Sequence, residues 1–415
     1  MQLIDNTISK RNRSMSQVMV LDGLILCFLL SIASSTIIYG PSSQYYPSRT
    51  PTIAEARLFG PSQKKIVPFD AKAIEEAVNS FTDEQVNRGA VVFVLPGSVT
   101  GMGAGSRATP FIKNIGKTGR TRKILITPLN GWGSCTFNGS VKIQSCYGVA
   151  FGNFKFASGD KFGNKRGFLA QDCTESSIFN MAPLSTFGGQ TIDNTPSWDI
   201  EFINIVLPDG FLKYDADNNA DTASFRTASK GPASNIRFRG CYFAPSFREL
   251  GSKAHTDTYQ FSGNSAYSDI QYENTAVFGS TNAALQVGAA ENYRLLRTLV
   301  LGGKTTCARY PVPPGADGYA VGYVSPNGMN GAATNASAID SIIIGSIGST
   351  RWAFQSGSSI AYTPQGTQQP ATGLKWNVDP SLSNVDRAWI DARVPVPTEA
   401  YLQKIFDDAG KSITN

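Results

Sequence analysis

NIRFRGCYF, residues 235–243, alternates apolar Ile236 and Phe238 with Arg237 and Arg239, breaks at Gly240, and resumes with an apolar run. A period of two puts the apolar pair on one face of a short strand and the arginines on the other. The same figure recurs in 199-DIEFINIVL-207 and 269-DIQYENTAVF-278, and more loosely in 122-RKILITP-128, 149-VAFGNFKF-156, 294-RLLRTLVL-301 and 338-AIDSIIIG-345. Each crosses a small or polar corner, such as Gly152-Asn153, Arg239-Gly240 or Glu273-Asn274, before its second apolar piece. Two pairs of segments also match at fixed offsets. In 258-TYQFSG-263 and 284-ALQVGA-289 the shift is 26 residues, and in 278-FGS-280 and 301-LGG-303 it is 23. Coils of that length characterise stacked β-solenoids. A strand of four or five residues cannot bury its face alone, but rungs about 4.8 Å apart build a continuous apolar column and pair every interior backbone group. An antiparallel sandwich would need two-residue hairpin turns between the segments, and few are present. The expected fold class is therefore all-β.

The rest of the composition agrees. With 41% hydrophobic residues the chain can bury a large core, while charged residues make up only 16% and helix-forming runs are sparse after residue 90. Thirty-seven basic against 31 acidic residues give a net charge of +6, and no basic block with interleaved aromatics marks a nucleic-acid surface. The six cysteines lack metal-ligand spacing, and a single histidine argues against a Cys/His zinc site; they read as buried free thiols in preference to a disulfide framework.

The ends differ from the middle. Residues 1–16 are polar and basic, and 17–40 are strongly apolar, preceded by 10-KRNRS-14 and followed by small residues and the Pro/Ser/Tyr-rich 41-PSSQYYPSRTP-51. Three readings of 17–40 stand: a secretory signal, a membrane anchor, with 23–39 at the short limit for a bilayer span, or a docking segment for a membrane or virion. Each points to an extracellular or surface protein. Residues 41–69 read as a linker. In 70-DAKAIEEAVNSF-81 the apolar residues share one helical face, with Asp70 placed to cap it, and 90-AVVFVLPGSV-99 reads as a buried strand ending at Pro-Gly. The solenoid is expected over 70–350, and 351–415 as a C-terminal extension carrying the short helical pattern 398-TEAYLQKIFDDAG-410.

The opening 74-IEEAV-78 with 91-VVFVLPGSV-99, then 110-PFIKNIGKTGRTRKILITPLNG-131 and the coil 143-IQSCYGVAFGNFKF-156, resembles the start of the pectate-lyase-like right-handed parallel β-helices, bacteriophage tailspikes among them. That resemblance implies a right-handed parallel β-helix with a short N-terminal capping helix. It also implies a partner of polysaccharide type, and a homotrimer if the likeness to tailspikes holds. It does not separate lyases, glycosidases, epimerases and adhesins.

Several clusters offer chemistry. Lys253, His255 and Asp257 lie two apart in 253-KAHTDTYQFSG-263. A polysaccharide lyase needs a cation against the uronate carboxylate and a base for the adjacent proton, roles that Lys253 and His255 could fill, with Asp257 orienting the imidazole or binding Ca2+. The alternative is a His255–Asp257 pair that merely braces a corner. On the outward face of successive coils, Glu201, Arg237, Arg239 and Glu273 could grip a sugar chain, with Tyr259 stacking on a ring, or simply form surface ion pairs. Asp215, Asp217, Asn219 and Asp221 alternate like ligands of a Ca2+ loop, although Ala220 replaces the turn glycine and Arg226 the bidentate Glu of an EF-hand. The sequence thus leads to a tailspike-like binder and depolymerase of polysaccharide, an acidic-glycan lyase, or an adhesive solenoid without catalysis.

Overall fold

The computed structural model describes residues 36–103, 107–157, 167–183, 187–191, 198–207, 211–213, 221–227, 233–263, 266–348, 350–363 and 374–411. The apolar segment 17–40 falls almost entirely outside them. Among the described residues no helix is long and apolar enough to cross a membrane. The chain divides into two units, Met1–Ile37 and Ile38–Asn415, and all of the architecture that follows belongs to the second.

The alternating segments become strands that pair in parallel with their counterparts one coil on. Sheet I runs through eleven described strands, from Lys64–Val67 to Trp352–Ser356, and includes Trp198–Leu207, Ala233–Arg239 and Tyr267–Glu273. Sheet II contains Ala223–Thr227, Asp257–Gly263 and Ala283–Gly288, and sheet III contains Tyr242–Phe243, Ala276–Phe278 and Leu299–Leu301. One coil visits II, then I, then III, which is the geometry of a parallel β-helix. Both offsets read from the sequence are realised: Tyr259 pairs with Leu285 and Phe278 with Leu301.

Inside, identical positions stack. Ile200, Ile236 and Ile270 form one buried column, and Phe202, Phe238 and Tyr272 the next, with ring centroids 5.1 and 4.6 Å apart. Burying each such ring contributes about 2–3 kcal/mol, so a coil gains its stability only when its neighbours are present. The corner between sheets I and III is made by one left-handed residue per coil: Asn153, Asn180, Asn204, Gly240, Asn274, Arg297 and Asp340 all have positive φ. Asparagine and glycine suit this corner because a left-handed backbone is least costly for them.

The helix expected at 71–81 is observed as Ala71–Asn79, with Asp70 accepting from the Ala73 N–H and Ile74, Ala77 and Val78 buried against the first strands. Two expected boundaries move. Residues 41–69 do not run free as a linker: Tyr45 is buried, and Lys64–Val67 is already a strand of sheet I. The coils also continue past 350, through Trp352–Ser356 and Ser359–Ala361. The first of these follows from the corner ladder, whose polar side chains bond segments that run over the coils. Asn204 accepts from the Ser42 N–H at 2.9 Å and donates to the Tyr45 carbonyl, and Asn274 donates to the Gly40 carbonyl. Asn180 donates to the carbonyl of Leu402 in the C-terminal helix Glu399–Ala409. Residues 38–51 thus form a strap along the outside of the coils.

Candidate functional site

The strap decides the fate of the outward ladder. Glu201 is fully buried beneath it, with one oxygen held by the Ser48 N–H (2.9 Å), the Ser177 hydroxyl (2.8 Å) and the Lys123 ammonium (3.0 Å). Burial pushes the Glu201 carboxyl up, but Lys123, Arg237 and the Ser48 hydroxyl outweigh it and hold it at about 2. Arg239 lies between Glu201 and Glu273 with its guanidinium over the Tyr45 ring, 5.2 Å from the centroid. Glu201 therefore clasps the strap at Ser48, Arg239 packs on its Tyr45 and Glu273 braces Arg239, so they do not form an open sugar surface, although Arg237 and Arg239 each keep a partly exposed edge. Tyr259 is also displaced from its expected role. It is buried in the core, its ring 4.7 Å from that of Phe238, because its position on Asp257–Gly263 faces inward.

Sheet II assembles a different cluster. Asp221 and Asp257 occupy equivalent positions on adjacent coils, since Ala223 pairs with Tyr259. The Thr222 N–H donates to the Asp257 carbonyl at 3.0 Å, and the Asp257 N–H donates to Asp221 Oδ1 at 3.1 Å. Both carboxyls are buried. Burial, followed by the Asp257 charge, pushes the Asp221 carboxyl up to about 7, against the opposing pull of the backbone bond and of Arg226, 3.6 Å away.

His255 stands in front of this pair with its side chain 37% exposed, and its Nδ1 lies 2.8 Å from Asp257 Oδ2. That bond is the main cause raising the imidazole above its ordinary value; burial opposes it. On the next coil, Asn282 donates from Nδ2 to Asp257 Oδ1 at 2.7 Å and meets His255 Nε2 at 2.9 Å. Asp257, an acceptor, places the proton of the neutral ring on Nδ1, which leaves Nε2 with a basic lone pair. The ring is thus fixed in orientation and tautomer.

The surrounding wall comes from two loops. Arg248 donates to the Ala254 carbonyl and, from Nε at 2.8 Å, to Asp317, while Glu249 bridges Ala316. Lys253 is exposed on the same loop just before His255. Of the expected calcium ligands, Asp215, Asp217 and Asn219 lie outside the described residues, and Asp221 belongs to the histidine cluster. Asp221, His255 and Asp257 do present one ligand atom each within 4.8 Å of one another. A donor set containing an imidazole suits a transition-metal ion better than Ca2+, which prefers six to eight oxygens.

The sequence missed Asn282 and the pairing of Asp221 with Asp257. The 26-residue offset does place Asn282 opposite Thr256, so its closeness to the histidine was recoverable from the repeat.

The register of the three sheets defines the class: a parallel β-helix, carrying a histidine–carboxylate cluster on one face. No family model and no curated protein matches the sequence. Among solved structures the chain is similar to a PL6 family alginate lyase, AlyGC, at 11% identity over 84% of this chain, with a TM-score of 0.32. It spans 58% of that protein's length. It is also similar to the A-module of the Azotobacter vinelandii mannuronan C-5 epimerase AlgE4, at 13% identity over 72% of this chain and 96% of that one, with a TM-score of 0.20. At these scores the fold rests on the chain's own strand register.

Proposed function

We propose that this chain is an extracellular or virion-surface protein that binds a uronate-containing polysaccharide and cleaves it by β-elimination at His255. The observation that carries the reading is the half-exposed imidazole of His255 held at 2.8 Å by the buried carboxylate of Asp257. Glycoside hydrolysis requires two carboxyl groups flanking the scissile bond. Here both carboxyls lie buried behind the ring, and the ring is the accessible group. Elimination needs a base, and it suits this arrangement.

In that reaction His255 Nε2 takes the proton from the sugar carbon that bears the carboxylate. The electron pair forms the new carbon–carbon double bond and expels the glycosidic oxygen, which a water protonates. Asp257 stabilises the imidazolium, and the substrate replaces the contact of Asn282 with Nε2 while Asn282 keeps its bond to Asp257. Arg226, exposed and 3.6 Å from Asp221, and Lys253, exposed two residues before His255, supply positive charge for the uronate.

Incubation with alginate and with polygalacturonate, followed by the ultraviolet absorbance of the unsaturated product, tests the proposal. Product formation that disappears in His255→Ala supports it; binding without absorbance in the wild type would reduce the chain to an adhesive solenoid. The homotrimer and the attachment through residues 17–40 belong to the same proposal, checked by light scattering and by N-terminal sequencing of the native protein.

A further inference from the structure

Sheet I carries a second feature that the strap leaves open. On five successive coils the paired positions Arg237, Gln271, Arg294, Ser337 and Phe354 form an outward column, with a register shift between Ala336 and Ser337 on the last pairing. Beside it runs a corner column of left-handed residues, Asp199, Asn235, Asp269, Asn292 and Asn335, with φ between 51° and 56°. Their side chains link rung to rung: Asn235 donates to Asp199 at 3.0 Å, Asn292 to Asp269 at 2.9 Å, and Asn335 to Asn292 at 2.6 Å. Between the two columns lies a solvent-open groove.

We propose that this groove is a second polysaccharide site that holds an extended uronate chain parallel to the solenoid axis, away from the His255 cluster on sheet II; the ligand class rests on the proposed function. Three observations carry it. The groove repeats its polar groups once per rung, about 4.8 Å, which is close to the length of one sugar residue in an extended chain, so successive sugars meet equivalent amides and carboxylates. Asn, Gln and Asp together offer the donors and acceptors that sugar hydroxyls need. The groove also has a cation and a platform. Arg294 is exposed, whereas Arg237 is held by Asp199 and Glu201, and the Phe354 ring is 51% exposed at the far end. An exposed aromatic ring in a polar groove is a face on which a sugar ring can stack, and a guanidinium pairs with a carboxylate.

The test uses the full chain with His255→Ala, in which cleavage is blocked, and isothermal titration calorimetry with size-defined oligogalacturonate, oligomannuronate and a neutral cello-oligosaccharide. A binding event is expected for at least one uronate, and adding Arg294→Ala and Phe354→Ala, both at exposed positions, should weaken it about tenfold or more. No binding of either uronate, or an isotherm unchanged by the two substitutions, overturns the groove. Equal binding of the neutral chain overturns the uronate assignment. Turnover by the wild-type chain is scored separately: a groove event without any turnover removes the role given to His255 and leaves this site standing.

Discussion

Asp221 and Asp257, 36 residues apart in sequence, stack on adjacent coils, with the Asp257 backbone N–H bonded to the Asp221 carboxyl at 3.1 Å. Two buried carboxyls with oxygens within 4.8 Å of each other cannot both ionise cheaply, so Asp221 retains its proton toward neutral pH. The protonation of this pair is thereby coupled to folding and to the imidazole in front of it.

Asp221→Asn should raise stability at neutral and higher pH. The folded carboxyl is raised from 3.8 to about 7, so the native state binds the proton more tightly, and its contribution fades as pH climbs between those values. Asparagine keeps the acceptor for the Asp257 N–H and carries no charge. Thermal melts across this range should show the variant melting above the wild type at about pH 8, with the difference closing near pH 4. A variant that melts lower at pH 8 would contradict the coupling.

The acid limb of the pH–rate profile on a uronate polymer should lie above 6.5, the ordinary histidine value, because Asp257 stabilises the protonated ring and the base must be neutral to act. Asp257→Asn removes the cause of that shift. It should move the limb downward and cut kcat by about 10²- to 10⁴-fold. Steady-state rates across pH settle this; an unmoved limb would mean that another group sets it.

Glu201→Gln leaves the Lys123 ammonium, whose side chain is 1% exposed, without its buried counter-charge. The expected loss is about 3–5 kcal/mol in chemical denaturation, and pairing Lys123→Met with Glu201→Leu should recover much of it. Because the folded Glu201 carboxyl is lowered from 4.5 to about 2, its contribution is present above 4.5 and is lost as pH falls toward 2. A double variant as unstable as the single one would show that packing, and not charge, holds the strap.

Gly240→Ala should loosen the strap. Gly240 has φ 62°, and a Cβ there would stand 2.6 Å from Asn204 Oδ1 and 2.8 Å from the Tyr45 ring. The left-handed backbone alone costs about 1 kcal/mol for alanine. Limited proteolysis should then cut within residues 38–51 sooner than in the wild type, while the coils resist as before; an unchanged digestion pattern would show that the strap tolerates the intrusion.

The sequence by itself determined the coil. Alternation fixes which side chains point inward, and a left-handed one-residue corner is least costly for Asn or Gly, so Asn153, Gly240 and Asn274 mark the turns by local backbone energetics, while Arg297 and Asp340 at the same corner carry no such signal. The offsets of 26 and 23 were already a statement of register, since stacked coils must place like residues over like. The helices at 71–79 and 399–409 were legible for the same reason: their period and caps are local signals. The site was half visible, as His255 and Asp257 in one stretch. What the tertiary structure alone decided depends on contacts across long stretches of chain. The strap bonds residues more than 150 positions away, and its Pro/Ser/Tyr composition carries no trace of the asparagine ladder that holds it. Its docking buried Glu201 and drew Arg239 and Glu273 into ion pairs beneath it. Coil length varies as well, from 36 residues between Asp221 and Asp257 to 26 between Asp257 and Ala283. Only the folded register, set by the packing of the core, could bring Asp221 to the histidine.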